Sequence, residues 1–227
     1  MKMNGCVIVG FSILFSFSEA SSSAGFDCMR AQTPVEKSIC SSQELSGLDE
    51  ELNALYFIAS HAPMIAVQTK SGQARWLRQR NECLEAPCLA KSYRDRIAEL
   101  KKQISLVADL FPNHGNWVRD YGSGGSPYCQ ASGNTSSFSV SLDSGNSPRG
   151  NFMCVHDCGR KVEDGTILHI AINNNIATIE YEAGFSQTTK STAFAAVIGK
   201  KLYWAGLREM SGSYCVTKEI LSVGTLR

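Results

Sequence analysis

Thr33-Pro34-Val35-Glu36-Lys37-Ser38-Ile39-Cys40, followed by Ser41-Ser42-Gln43-Glu44-Leu45, decides how the first half of this chain folds. Thr33 and Glu36 form a capping box. The hydroxyl can accept the backbone N–H of Glu36 while the glutamate reaches back to the cap. Pro34 suits the first helical position, where no N–H is needed. A short helix is therefore expected to run to about Cys40. Ser41 and Glu44 repeat the pattern and predict a second start. Leu45, Leu48, Leu52, Leu55, Tyr56 and Ala59 then recur at helical spacing until Pro63.

Working outward, a further helix is expected to carry Trp76 and Leu77 and to end near Cys83. Pro87 opens another, with Leu89, Tyr93, Ile97, Leu100, Ile104 and Val107 along one stripe. Phe111-Pro112-Asn113 closes the helical part. Beyond it the texture changes. Tyr121 to Gly125 and Leu142 to Gly150 are rich in turn formers. Ser137 to Leu142 alternates weakly. Ile167 to Ile172 and Ile176 to Tyr181 read as a hairpin through Asn173-Asn174-Asn175. Ala193 to Ile198 and Leu202 to Leu207 form a second pair around Gly199-Lys200-Lys201. Tyr214 to Ile220 reads as a last strand. The expectation is an α+β chain. A disulfide-pinned helical domain over residues 25–110 precedes a small antiparallel β sandwich or barrel over 116–227.

Residues 1–24 have the layout of a signal peptide: Lys2, an apolar run from Val7 to Phe17, then small residues. That run is too short to span a bilayer. Ser18-Glu19-Ala20 and Ser22-Ser23-Ala24 both offer cleavage sites, and Cys6 should leave with the leader. No later stretch has the length and hydropathy of a membrane span. The protein is expected to be periplasmic or secreted. Eight of its nine cysteines follow residue 25, an even number that suits a disulfide framework. Cys28 with Cys40 and Cys83 with Cys88 are the simplest local pairs, although four cysteines allow three connectivities. Cys129, Cys154, Cys158 and Cys215 give the second half its own bridges, with Cys215 tying the last strand back toward the Cys129–Cys158 segment. Cys154-Val155-His156-Asp157-Cys158 has zinc-ligand character. An oxidising compartment favours disulfides there, so no metal and no cofactor is expected.

Net charge is +1. Residues 25–109 hold eleven basic and eleven acidic side chains, and residues 110–227 hold ten and nine. Such balance supplies no field for nucleic acid. His61, His114, His156 and His169 have no evident nucleophile partner, and no phosphate-cradling or dinucleotide motif occurs. The chain is not expected to be an enzyme.

Several residues resemble the N-terminal domain of the LprI-like lysozyme inhibitor family. They are Phe26-Asp27-Cys28, Pro34-Val35-Glu36-Lys37, Ile39-Cys40, Leu45, Leu48-Asp49, Leu52 and Tyr56, then Gln73, Trp76-Leu77, Arg80, Cys83, Cys88-Leu89, Tyr93, Arg96-Ile97 and Leu100. The match covers residues 26–100. It implies a small disulfide-pinned helical domain exported by bacteria, and inhibition of lysozyme. Read from the residues themselves, Trp76 and Tyr93 are core. Arg80 and Arg96 lay their stems over that core and form surface ion pairs with Asp49 or Glu50. Nothing there signals a pocket.

Met210-Ser211-Gly212-Ser213-Tyr214 is similar to a Ser-Gly-x-Tyr step in bacterial inhibitors of animal lysozymes, where it lies on loops that enter the cleft. Arg208, Ser211, Gly212 and Tyr214 are the expected target contacts: hydroxyls, a cation and a turn-permitting glycine. The expected partner is a lysozyme or other muramidase. Alternatives are a periplasmic immunity protein that neutralises an injected cell-wall-degrading toxin, or a non-inhibitory envelope binding module.

Overall fold

A computed structural model describes residues 24–120, 137–143, 149–156, 161–183, 189–207 and 218–224. A short 3-10 turn, Cys28–Arg30, leads into α1 (Pro34–Ser41), α2 (Gln43–His61), α3 (Ala66–Arg80) and α4 (Ala86–Ser105). The capping box at Thr33 is complete. Thr33 Oγ1 accepts from Glu36 N–H at 3.2 Å, and Glu36 Oε2 accepts from Thr33 N–H at 2.8 Å and Gln32 N–H at 2.9 Å. Those backbone donors hold the Glu36 carboxyl below its ordinary range. The second cap is Ser42 rather than Ser41: Ser42 Oγ accepts from Leu45 N–H at 3.3 Å. Ser41 is the last residue of α1, and its hydroxyl donates back to Ser38 O.

The apolar stripes converge as helical spacing requires. Ile39, Leu45, Leu52, Leu55, Ile58, Leu89, Tyr93, Ile97, Leu100 and Ile104 are buried in one core. Each such side chain contributes about 1.5–3 kcal/mol relative to exposure. Val107 is only partly buried, because α4 ends at Ser105. α3 ends at Arg80, short of Cys83. Cys28 is bonded to Cys40 and Cys83 to Cys88. The first bridge ties the 3-10 turn to α1, and the second closes the connection from α3 to α4. No helix among the described residues is long and apolar enough to cross a membrane.

The second half is a closed antiparallel barrel. Its strands are β1 (Gly115–Asp120), β2 (Ser137–Asp143), β3 (Arg149–His156), β4 (Lys161–Asn173), β5 (Ile176–Ala183), β6 (Thr189–Ile198), β7 (Lys201–Gly206) and β8 (Lys218–Val223). Each pairs with its neighbour in sequence, and β1 closes on β8 through Trp117 opposite Val223. Asn174 and Asn175, with φ of 50° and 64°, make the β4–β5 turn, and Gly199 and Lys200, at 57° and 67°, make the β6–β7 turn. Two consecutive left-handed residues match the right-handed twist of a tight hairpin. Both turns are therefore two residues long, and Asn173 and Lys201 belong to strands. The expected last strand agrees with β8 over Lys218 to Ile220, and β8 runs on to Val223; residues 214–217 lie outside the described residues.

The barrel contains strands that the sequence reading lacks. β1 and β3 are both additions, and Gly150, expected in a turn, lies in β3 opposite Leu142. β4 begins at Lys161, six residues before the expected Ile167. In β4 the register shifts between Ile167 and His169, leaving Leu168 as the extra residue of a bulge. The shift resets the alternation, so Ile167 and Ile170 are both buried in the barrel cluster. Trp117, Phe138, Val140, Ile179, Tyr181, Leu202, Trp204 and Leu221 fill the same cluster. Outward residues of β5 to β7, namely Ile176, Phe194, Ala196, Ile198, Tyr203 and Ala205, join the helical core instead. Asp109 N–H also donates to Val197 O at 2.8 Å, anchoring the connection between the two halves.

Candidate functional site

The helical unit contains a buried polar network. The Tyr93 hydroxyl donates to Asp49 Oδ1 at 2.7 Å and accepts from Arg80 Nη1 at 3.0 Å. Burial, and then the Asp49 carboxylate beside it, push the Tyr93 phenol well above its ordinary pKa. Arg80 lies over the Trp76 ring, 5.3 Å from its centroid, and donates to Asn81 Oδ1. Trp76 meets Tyr93 edge-on with centroids 5.1 Å apart and donates its indole N–H to Ser92 O.

Arg80 and Arg96 are thus not surface cations: they are 9% and 2% exposed. Arg80 reaches Asp49 through the Tyr93 hydroxyl. Arg96 pairs with neither Asp49 nor Glu50. Its guanidinium donates to Glu99 Oε2 at 2.7 Å, Gln73 Oε1 at 3.1 Å and Thr69 O at 3.2 Å. A buried guanidinium needs such partners, and an arginine fork can use them at once.

Over Arg96 lies a groove between α3 and α4, about 280 Å3, lined by Gln68, Gly72, Arg75, Trp76, Gln79, Arg96 and Glu99. Gln68, Gly72, Arg75 and Gln79 follow one another at helical spacing, so they form a single stripe about 16 Å long. Gly72 keeps the floor open, since a Cβ there would stand 3.3 Å from both terminal nitrogens of Arg96. α3 carries Lys70, Arg75, Arg78 and Arg80 and no carboxylate. Glu99 offsets Arg96, which leaves Arg75 exposed and without an ion-pair partner among the described residues. The groove therefore holds one uncompensated positive charge flanked by two side-chain amides, an arrangement suited to an anionic, acceptor-rich group.

This groove was not foreseen. Its signal was the cation-only composition of residues 66–80 with a glycine in the polar stripe. At one end of the barrel, Arg119 Nε lies 3.4 Å from Glu219 Oε2, with Glu219 buried opposite Trp204. Arg208, Ser211, Gly212 and Tyr214 fall in the connection from β7 to β8 and lie outside the described residues, as do Cys129, Cys158, Cys215 and residues 1–23 of the expected leader. Cys154 and His156 are on β3, where Cys154 stands opposite Phe138 and Glu163. No family model, curated protein or solved structure matches this chain.

Proposed function

We propose that this is an exported bacterial protein that binds a lysozyme-type peptidoglycan hydrolase and blocks its cleft. The observation that carries the reading is the groove between α3 and α4, where Arg75 has no carboxylate partner among the described residues and α3 itself carries none. A muramidase cleft presents two carboxyl groups to the glycosidic bond. A cation on a firm scaffold is complementary to that pair, and blocking requires a pre-ordered surface more than reactive chemistry. Two disulfides and the Asp49–Tyr93–Arg80 network give the helical unit that firmness. The resemblance of residues 26–100 to LprI-like inhibitors supports the same reading. Many of those matching residues build the core and the network rather than the exposed surface.

The test is lysis of bacterial cell walls by a panel of lysozyme types with the purified protein added. Near-stoichiometric slowing is expected. Unchanged lysis at large excess across the panel would remove the proposal. Arg75→Glu should weaken inhibition at least about tenfold, equivalent to about 1.4 kcal/mol of binding. A Ser211→Ala, Tyr214→Phe double variant examines the connection from β7 to β8. Loss there with Arg75→Glu unaffected would move the contact from the helices to the barrel.

A further inference from the structure

Asp49 is a carboxylate that is 8% exposed, and among the described residues no cation touches it directly. Its two oxygens accept from neutral donors: Oδ1 from the Tyr93 hydroxyl, and Oδ2 from the backbone N–H of Gly25 at 2.8 Å. Residue 25 is held on its other side as well, because Asn53 Nδ2 donates to Gly25 O at 3.0 Å. A Cβ at this position would come within 2.6 Å of Asn53 Nδ2 and 3.0 Å of Asp49 Oδ2. A side chain there would require Asn53 and Asp49 to shift. A buried charge is costly without a countercharge in contact.

We infer that Gly25 is the first residue of the mature protein and that its α-ammonium is the missing partner of Asp49. The inference rests on the reading of residues 1–24 as a leader and chooses between its two cleavage sites. Ser22-Ser23-Ala24 ends immediately before Gly25, whereas Ser18-Glu19-Ala20 would leave four further residues. A signal peptidase of the exporting cell adds water across the Ala24–Gly25 amide. Ala24 departs with the new carboxylate, and the Gly25 nitrogen becomes an amine that takes up a proton. The same nitrogen that donated as an amide then donates as an ammonium, and the neutral contact with Oδ2 becomes an ion pair. Processing thereby completes the network that already contains Tyr93 and Arg80.

The experiment is export of the full chain, followed by intact mass and stability measurement. A mature chain starting at Gly25 is expected. A start at Ser21 overturns the inference while leaving the leader intact, and an unprocessed chain starting at Met1 overturns both. Protein starting at Gly25 should show a folded-to-unfolded ratio about fivefold or more above that of the same chain N-acetylated at Gly25, near neutral pH. Pairing raises the amine pKa in the folded state, so the advantage is full below the ordinary amine pKa of about 8 and vanishes as pH rises through the folded value. Asp49→Asn should erase the difference between free and acetylated forms. Equal stability of the two forms in the wild-type protein would also overturn the pairing.

Discussion

Tyr93 and Asp49, 44 residues apart in sequence, meet at 2.7 Å in the core of the helical unit, and Arg80 approaches the same hydroxyl from α3. One phenol thus ties α2, α3 and α4 together. Tyr93→Phe preserves the ring and its edge contact with Trp76 but removes the hydroxyl that Asp49 and Arg80 share. Leaving both buried groups short of a partner should cost about 1–3 kcal/mol. Urea denaturation read by circular dichroism checks this, and a cost near zero would mean that water replaces the hydroxyl.

The same phenol predicts an alkaline limit. Its pKa is raised in the folded state, by burial first and then by Asp49. The unfolded chain therefore loses its tyrosine proton at lower pH than the folded one. Stability from this group is full below about pH 10, the ordinary tyrosine value, and declines as pH rises above it. Tyr203, raised by burial where it packs beneath α2, acts in the same direction. Thermal melts from pH 8 to pH 11 should slope downward at the alkaline end, and Tyr93→Phe should flatten that slope.

Glu36 predicts an acid limit of opposite sign. Backbone N–H groups of Thr33 and Gln32 lower its folded pKa, so its contribution is present above the unfolded value and is lost as pH falls through the folded one. Glu36→Gln should reduce the acid dependence of the helical signal while leaving the neutral-pH fold in place, since glutamine can still close the capping box.

The two disulfides should differ in worth. Cys28 and Cys40 are separated by 12 positions and Cys83 and Cys88 by 5. Chain-entropy reasoning gives about 3 kcal/mol for the longer loop and about 2 kcal/mol for the shorter. Chemical denaturation of the Cys28→Ser, Cys40→Ser and Cys83→Ser, Cys88→Ser double variants should rank in that order.

In the barrel, Gly150 has no room for a side chain, because a Cβ would lie 1.9 Å from Ser141 O across the β2–β3 pair. Backbone cannot step aside as a flexible side chain can. Gly150→Ala should destabilise the protein by more than about 2 kcal/mol, whereas Gly199→Ala meets no atom within 4 Å and is opposed only by its left-handed φ of 57°. Near-ultraviolet circular dichroism of Trp117 and Trp204 reports the difference.

Local signals made much of this architecture legible. Thr33 and Glu36 announce a helix start within four residues. The short separations of Cys28/Cys40 and Cys83/Cys88 favour local bridges. Asn174-Asn175 and Gly199-Lys200 supply the left-handed turns that hairpins need. Arg80 and Arg96 each have one near neighbour in sequence as a partner, Asn81 and Glu99, but the contacts that bury them come from other helices and are illegible locally: Tyr93 lies 13 positions from Arg80, and Thr69 lies 27 from Arg96. An exposed ion pair and a buried one look alike in sequence. β1 escaped notice because Asn116, Arg119 and Asp120 make it read as a loop, and the bulge at Leu168 interrupts the alternation of β4. The groove at Arg75 needs two helices to exist, so no single stretch encodes it.

β6 has consequences for anyone who would dissect this molecule. Over its second half, Ala193, Ala195 and Val197 point one way and Phe194, Ala196 and Ile198 the other, and both sides of that stretch are buried. Cutting the chain between the helices and the barrel would strip one side bare and present an oily strip to water. Each fragment, made alone, should clump or require detergent, so shuffling these halves onto other scaffolds will work only if a replacement lid travels with the barrel.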